Sequence, residues 1–387
     1  MAPPVDVHGT VDPRFDAVRT AFARNFERHG DVGAACCVWV GGRPVVDVCG
    51  GVADTTDGRP WEHDTPCVVF STTKGVTAIA VNLLVQRGVL DLDASVATYW
   101  PEFAANGKGG IPLRWLLSHR AGLAHVTADL TLDDVLAWDP VVDAIAAQEP
   151  VWEPGTAHGY HVRSYGWLLG EVVRRVTGMS IGAFVARELA APLHLDLWIG
   201  LPETVEARIA RLLPPLELQD EHARELFEAF MKDDPLRAGA MGGPSNLFRY
   251  DDMWNTRALH AAEMPSSNGV ATAPALAKLY AACIGDVGGV RILDGDTVAR
   301  ASRVESDGED VILGIPTRFG LGFSLPPMLS PAAGPGAFGH PGAGGSLAFA
   351  DPDNELAFAY VMNQMQLGLT GDRRTETLVA AVYDALA

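Results

Sequence analysis

The sequence predicts an α/β fold of the α+β type, in which an antiparallel sheet is flanked by helices and carries an inserted, mainly helical domain. Three observations predict it: strand-like runs joined by short turns near both chain ends, a helical pattern in the closing segment, and a long, mainly helical middle. We expect one α/β domain from residues 1–70 and 290–387, a helical domain over 71–289, and the functional site at their interface.

Two pairs of strand-like runs supply the sheet. "GAACCVWV" and "RPVVDVCGG" flank Gly41-Gly42, a two-residue glycine turn that is typical of a hairpin. "GSLAFADPDNELAFAYVMNQ" repeats this design near the other end, with its turn at Asp351-Pro352-Asp353-Asn354. Both chain ends are therefore predicted to contribute antiparallel strands.

Four segments have helical patterns. The first begins around Val76 and stops near Gly88, and the second, "YGWLLGEVVRRVTG", ends at Gly178. "ELQDEHARELFEAFMKDD" predicts a more polar surface or lid helix. The closing "RRTETLVAAVYDAL" is expected to cover the sheet, because it places these side chains on one helical face: Leu378, Val379, Val382, Tyr383 and Leu386.

Composition excludes several classes of partner. The chain has 387 residues with 29 Lys and Arg against 48 Asp and Glu, a net charge of −19 that repels nucleic acid and anionic membranes. Because there is no basic start followed by an apolar segment, and no apolar run of about 18 residues, we expect a cytoplasmic protein. Its five cysteines are interpreted as buried free thiols, since most lie in apolar strand-like runs without C-x-x-C spacing.

The stretch "VVFSTTKGVTAIAV" contains the first candidate for chemistry. Ser71 stands at the start of the Val76 helix, and Lys74, three residues later, projects from the same helical face, so its amine can reach the hydroxyl. The positive end of the helix favours an alkoxide and lowers the pKa of a neighbouring lysine. This pattern can make serine a nucleophile without histidine, although an ordinary N-cap serine is the alternative.

Two further segments offer the other groups that acyl transfer needs. "EPGTAHGYHVRSYGWLLG" contains Tyr160 in a loop before a helix, and Tyr165 competes with it for the role of proton donor and acceptor. "FGHPGAGGSLAFADP" places His340, Gly342 and Ala343 before a strand, where a backbone N–H could face a developing oxyanion. A neutral imidazole at His340 could donate one hydrogen bond to an ester.

Two other patterns are interpreted as structural. "GMSIG", residues 178–182, fits the Gly-x-Ser-x-Gly nucleophile elbow, but the segment before it is helical in pattern and Ser180 is expected to cap the next helix. The histidines form no compact metal-binding motif, so no metal and no cofactor are assigned to them: His119, His125, His158, His161 and His194.

Together these motifs resemble a known group. "STTK", the tyrosine loop and "GHPG" occur in the order and approximate spacing of the serine β-lactamase and D,D-peptidase superfamily. "LDLDASVATYWPEF", "LLSHRAGL" and "GHPGAGGSLAFADP" look more narrowly like the family VIII carboxylesterases, its esterase branch. The resemblance covers nearly the whole chain and implies a β-lactamase/D,D-peptidase-like fold.

The resemblance also implies residue roles. Ser71 would be the nucleophile, Lys74 its base partner and Tyr160 the proton relay, while the backbone N–H groups of Ser71 and Ala343 would form the oxyanion hole. His340-Pro341-Gly342 would replace the superfamily's Lys-Thr-Gly strand and contact the substrate. Which of Lys74 and Tyr160 is the base in each step stays open.

Two departures from the superfamily's pattern bear on the substrate. Tyr160-His161-Val162 stands where many relatives have Tyr-x-Asn, so the amide that contacts an acylamino substituent is missing. His340 stands where penicillin-recognising enzymes have lysine, which removes a permanent cation. Both departures favour neutral esters over β-lactams or cell-wall peptides.

The resulting hypothesis is a cytoplasmic serine hydrolase that cleaves short-chain or small carboxylic esters through an acyl-enzyme on Ser71. A β-lactamase or an acyltransferase of the same superfamily is the alternative within the enzyme class, and a non-catalytic ligand-binding protein is the alternative outside it. The expected partner is a small-molecule ester, with no nucleic acid and no membrane, and the residues predict no particular oligomeric state.

Overall fold

The computed structural model describes residues 5–219, 221–368 and 372–387. Its strands are β1 (Val7–Val11), β2 (Gly33–Val40), β3 (Arg43–Asp54), β4 (Arg59–Pro60), β5 (Cys67–Val68), β6 (Leu197–Trp198), β7 (Val270–Ala271), β8 (Ser306–Glu309), β9 (Pro316–Phe319), β10 (Phe338–Pro341), β11 (Leu347–Asp351) and β12 (Leu356–Met362).

Its α-helices are α1 (Asp16–Arg28), α2 (Thr72–Gln86), α3 (Leu113–Leu117), α4 (Leu132–Leu136), α5 (Asp139–Ala147), α6 (Ser164–Thr177), α7 (Ile181–Val185), α8 (Ala191–Leu193), α9 (Glu221–Asp233), α10 (Pro235–Gly242), α11 (Arg257–Ala261), α12 (Ala273–Ile284), α13 (Gly295–Ala301) and α14 (Arg373–Leu386). The four helices predicted from the sequence are α2, α6, α9 and α14. The segment predicted for α9 includes residue 220, which lies outside the described residues.

The main sheet joins the two ends of the chain. Its antiparallel strands lie in the order β1-β3-β2-β12-β11-β10, with β4 beside β3. Gly41 and Gly42 connect β2 to β3 with φ of 57° and 72°, the left-handed values that a tight hairpin turn requires. The Asp351–Asn354 turn connects β11 to β12. Both predicted hairpins are confirmed.

Both faces of this sheet are covered by helices. Alternate side chains of a strand point to opposite faces, so Cys36 and Val38 of β2 pack with α1 and α14, while Ala35 and Cys37 face the other core. Helix α12 packs on β2, β11 and β12 on that second face. Because α12 lies within 71–289 but contacts the sheet, the two regions share one core, and the predicted domain boundaries stay a prediction.

Helix α2 lies in the middle of the molecule. Every residue from Thr72 to Leu84 is buried, so the helix is enclosed on all sides rather than amphipathic. It contacts α6, α7 and β10. This burial fixes the residues at its N-terminus against both the sheet and the helical region.

All five cysteines are free and buried, as predicted: Cys36, Cys37, Cys49, Cys67 and Cys283. Burial raises the pKa of their thiols. Within residues 5–219, 221–368 and 372–387, no helix has the length and apolar character needed to cross a membrane.

Candidate active site

Ser71 lies at a sharp turn immediately before α2. The preceding residue, Phe70, has φ of 43°, a left-handed value that is rare for a bulky side chain and turns the chain abruptly from β5 into the helix. The Phe70 ring packs edge-on against Trp254, with 4.8 Å between ring centroids. This contact holds the turn, so Ser71 is presented, partly exposed, at the positive end of a buried helix.

Lys74 is buried with its Nζ atom beside Ser71. Nζ lies 3.1 Å from Ser71 Oγ, 2.6 Å from the Val162 carbonyl oxygen and 3.1 Å from the Ser266 carbonyl oxygen. Burial, and then the charge of Arg163, holds the pKa of Lys74 well below its ordinary value, which favours the neutral amine. Because carbonyl oxygens only accept hydrogen bonds, the two of them accept from both N–H groups of that amine. The nitrogen lone pair therefore remains available to accept a hydrogen bond from the Ser71 hydroxyl.

Tyr160 lies beside Lys74 and lines the cleft at Ser71. Its ring centroid lies 4.7 Å from Lys74 Nζ, and the ring stacks on Phe319 and His340 with 5.9 Å between centroids in each pair. Burial raises the pKa of the Tyr160 hydroxyl, and a hydrogen bond with Ser71 opposes that rise. The hydroxyl is therefore a neutral phenol that can pass a proton to a group bound at Ser71.

Tyr165, the competing tyrosine, faces elsewhere. Its hydroxyl donates toward the carbonyl oxygens of Lys74, at 3.5 Å, and Gly322, at 3.4 Å. Tyr160, in contrast, lines the cleft at Ser71. The tertiary structure thus separates two tyrosines that the residue pattern left equivalent.

His340 is buried at the end of β10. Its Nδ1 lies 2.7 Å from the Pro341 carbonyl oxygen, which only accepts, so Nδ1 carries the proton and Nε2 can only accept. This differs from the expectation that the imidazole donates to an ester. Nε2 is buried without a partner among the described residues. Burial lowers the pKa of His340 to about 3, so the ring stays neutral.

Gly342 and Ala343 bring the end of β10 against the start of α2. Ser346 Oγ donates to the Val69 carbonyl oxygen at 2.8 Å and lies 3.1 Å from Thr72 Oγ1. Within the described residues, neither the Ser71 N–H nor the Ala343 N–H has a backbone acceptor. Both residues line the same cleft. Two free N–H groups can therefore face an oxyanion there.

The cleft continues into a larger space. At Ser71 it encloses only about 10 Å³, roughly one water. A neighbouring cavity of about 420 Å³ shares Leu313 and Ala343 with it. Its other walls are mostly apolar and include Phe227, Phe230, Met241, Tyr250, Ile315 and Met365. Helix α9, predicted as a surface or lid element, supplies two of these side chains.

Ser180 takes no part in this cleft. It caps α7, where its Oγ accepts from Ala183 N at 3.2 Å and donates to Glu263 Oε1 at 2.7 Å. Helix α6 precedes it and ends at Gly178 with φ of 70°. No strand leads into Ser180, so the nucleophile-elbow pattern is a coincidence of sequence.

A family model described as Beta-lactamase matches residues 20–382 of this chain. The chain belongs to the beta-lactamase family. Within this family it is 36% identical over 367 residues to Esterase/beta-lactamase LipL of Mycobacterium tuberculosis, covering 93% of this chain and 83% of the relative.

Solved structures of beta-lactamase-like proteins are similar along the whole chain. A family VIII carboxylesterase is 38% identical with a TM-score of 0.89, covering 98% of this chain and 100% of that one. EstA from Arthrobacter nitroguajacolicus is 32% identical with a TM-score of 0.87, covering 97% and 98%. The predicted fold class and the resemblance to family VIII carboxylesterases are confirmed.

Some contributors to the site had no signal in the sequence. Val162 and Ser266 act through backbone carbonyls, which any residue carries. Asp310 accepts a hydrogen bond from the Tyr160 N–H at 3.0 Å, across 150 residues of chain. No residue pattern in the sequence singled out this aspartate.

Proposed function

We propose that the protein is a carboxylesterase that hydrolyses carboxylic esters through an acyl-enzyme on Ser71. The observation that carries the proposal is the 3.1 Å approach of Lys74 Nζ to Ser71 Oγ, with two carbonyls occupying the other sites around Nζ. An amine held this way is a base aimed at one hydroxyl.

In acylation, Ser71 Oγ bonds to the ester carbonyl carbon while its proton moves to Lys74. The carbonyl oxygen becomes an oxyanion that the N–H groups of Ser71 and Ala343 stabilise. When the C–O bond to the alcohol breaks, Tyr160 donates its proton to the departing oxygen and recovers one from Lys74. This order assigns the base to Lys74 and the acid to Tyr160.

In deacylation, a water molecule bonds to the acyl carbon as it loses a proton to the same pair. The bond between Ser71 Oγ and the acyl carbon then breaks, and Oγ regains a proton. The carboxylic acid leaves and the starting protonation states return. The cycle consumes one ester and one water molecule and regenerates every side chain.

The surroundings of Ser71 favour neutral, apolar esters. His340 is neutral and presents only an acceptor nitrogen, so it supplies no cation for a substrate carboxylate. The 420 Å³ cavity offers apolar walls to an acyl or alcohol group. Relatives named as esterases support the same substrate class.

Hydrolysis of β-lactams is the second candidate, since one relative is named Esterase/beta-lactamase LipL. Parallel assays with nitrophenyl butyrate and nitrocefin distinguish the two substrates. We expect ester turnover to exceed nitrocefin turnover. A cytoplasmic location stays a prediction.

The nucleophile is tested by a phosphonate inhibitor followed by peptide mass mapping. The label is expected on Ser71, and Ser71→Ala should abolish turnover of nitrophenyl butyrate. Ser180→Ala is the matched control, because the Ser180 hydroxyl is held by Glu263, and it should retain activity. Label on Ser180, or turnover that survives Ser71→Ala, would overturn the proposal.

A further inference from the structure

Asp310 is a buried carboxylate close to the active site. The proposed mechanism does not use it. It lies in the turn between β8 and β9, and its exposed fraction is 0%. Burial raises the pKa of its carboxyl, and the strongest opposing interactions come from backbone N–H groups, ahead of His158. A carboxylate is costly to bury, so its hydrogen bonds must compensate for that cost.

These hydrogen bonds connect two distant segments. Asp310 Oδ1 accepts from the N–H groups of Tyr160 at 3.0 Å, Ile312 at 2.9 Å and Leu313 at 2.9 Å. Oδ2 accepts from Thr317 Oγ1 at 3.2 Å. One carboxylate therefore holds the tyrosine loop and the turn of the β8–β9 hairpin together.

The two segments are also packed tightly around this carboxylate. The Val311 N–H donates to the His158 carbonyl oxygen at 3.1 Å. A Cβ on Gly159 would lie 2.6 Å from a Val311 methyl and 2.9 Å from Ile312 Cγ1. The hairpin turn thus rests directly on the chain leading into Tyr160, and a shift of one must move the other.

Both ends of this connection reach the cleft. Tyr160 lines the cleft together with Ser71, and Leu313 lines both that cleft and the 420 Å³ cavity. From this arrangement we infer that Asp310 is a positioning residue that sets the proton relay at Tyr160 and the apolar wall at Leu313 together. The inference rests on the proposed function. It identifies Asp310 as a determinant of both the rate of ester hydrolysis and the acyl preference of the enzyme.

The test uses purified full-length Asp310→Ala and Asp310→Asn. The fraction of competent sites is first titrated with the phosphonate, and kcat is expressed per labelled Ser71. The value of kcat is then not lowered by unfolded protein in the sample. Nitrophenyl acetate, butyrate and octanoate are then compared. Asp307→Asn is the matched control, because Asp307 lies on the same hairpin but pairs with Arg318 at the surface.

Asp310→Ala is expected to lower kcat per site by about tenfold to a hundredfold, the scale of a small misplacement of a catalytic group. It should also change the octanoate-to-acetate ratio of kcat/KM by about threefold or more, because Leu313 moves. Asp310→Asn keeps one oxygen for the three N–H groups and should recover most of the activity. Asp307→Asn should match the wild type.

A double-mutant cycle separates positioning from a general structural effect. In a Tyr160→Phe background, Asp310→Ala should change kcat per site by less than about twofold, because the group it positions is already absent. If Asp310→Ala does not fold, Asp310→Glu provides the test, since one extra methylene displaces the carboxylate and should cost about tenfold.

Three results would overturn the inference: an unchanged kcat per site in Asp310→Ala or its substitute, a full additional loss in the Tyr160→Phe background, or an equal loss in Asp307→Asn. Failure of the phosphonate to label Ser71 in the wild-type protein would instead refute the proposed function itself.

Discussion

Replacing Gly342 with alanine tests how closely the end of β10 must approach Ser71. Gly342 has φ of −117° and ψ of 149°, extended values that alanine adopts freely, so the backbone itself is not strained by the change. The obstacle is space. An added Cβ would lie 3.0 Å from Thr72 Oγ1 and closer than 3.0 Å to both the Val69 carbonyl oxygen and Ser346 Oγ, a separation that Cβ atoms essentially never show.

The size of the effect follows from these contacts. The Val69 oxygen belongs to the backbone and cannot rotate away, so the strand end must move from the start of α2 by on the order of 1 Å. Ala343, the next residue, moves with it and its N–H leaves the oxyanion position. Weakening one such donor costs about 10²-fold in kcat, or about 2.7 kcal/mol of barrier. KM should change little, because this hydrogen bond strengthens only in the transition state.

The assay is steady-state hydrolysis of nitrophenyl butyrate, with kcat expressed per site labelled by the phosphonate. Gly110→Ala is the matched control, because the same methyl group there would meet no atom within 4 Å. We expect the control to keep the wild-type kcat. A Gly342→Ala protein with kcat within about twofold of wild type would refute the assignment of Ala343 to the oxyanion hole.

Three further predictions concern the groups around Ser71. Tyr160→Phe should lower kcat by at least about 10²-fold. Tyr165→Phe should lower kcat by less than about threefold, because it loses only hydrogen bonds of 3.4 and 3.5 Å to carbonyl oxygens. A larger loss in Tyr165→Phe than in Tyr160→Phe would exchange the roles of the two tyrosines. The kcat/KM for a neutral ester should rise with pH as Lys74 loses its proton, because only the free amine accepts a hydrogen bond from Ser71. Since burial lowers the pKa of Lys74, this rise should occur at a pH well below the ordinary pKa range of lysine. No second inflection should come from His340 above pH 5, since its pKa is lowered to about 3. A rise of kcat/KM centred in the ordinary range of the lysine pKa would argue against a neutral Lys74 as the base. His340→Lys should raise the ratio of nitrocefin to butyrate kcat/KM by about tenfold, since a cation would face a β-lactam carboxylate, and an unchanged ratio in a folded variant would mean that residue 340 does not contact the substrate.

Local sequence determined the two hairpins of the sheet and four of the helices. The glycine pair at residues 41 and 42 permits left-handed backbone that few other residues accept, and the apolar runs on either side correspond to β2 and β3. Gly178 stops α6 for the same reason. These signals lie within a few residues of the structure they specify, so they can be interpreted without knowing what packs against them.

The motifs also determined the family, since Ser71, Lys74 and the segment from His340 to Gly342 occur in a recognisable order along the chain. Their electrostatic state was decided only by the tertiary structure. The two carbonyls that direct the lone pair of Lys74 toward Ser71 lie 88 and 192 residues away in sequence, and Asp310 reaches Tyr160 across 150 residues. Backbone carbonyls and N–H groups are present in every residue type except for the missing N–H of proline, so no sequence pattern marks the ones that meet. The proton positions at Lys74 and His340 depend on these hydrogen bonds and on burial. Hydrogen bonds between distant segments and burial exist only in the folded chain.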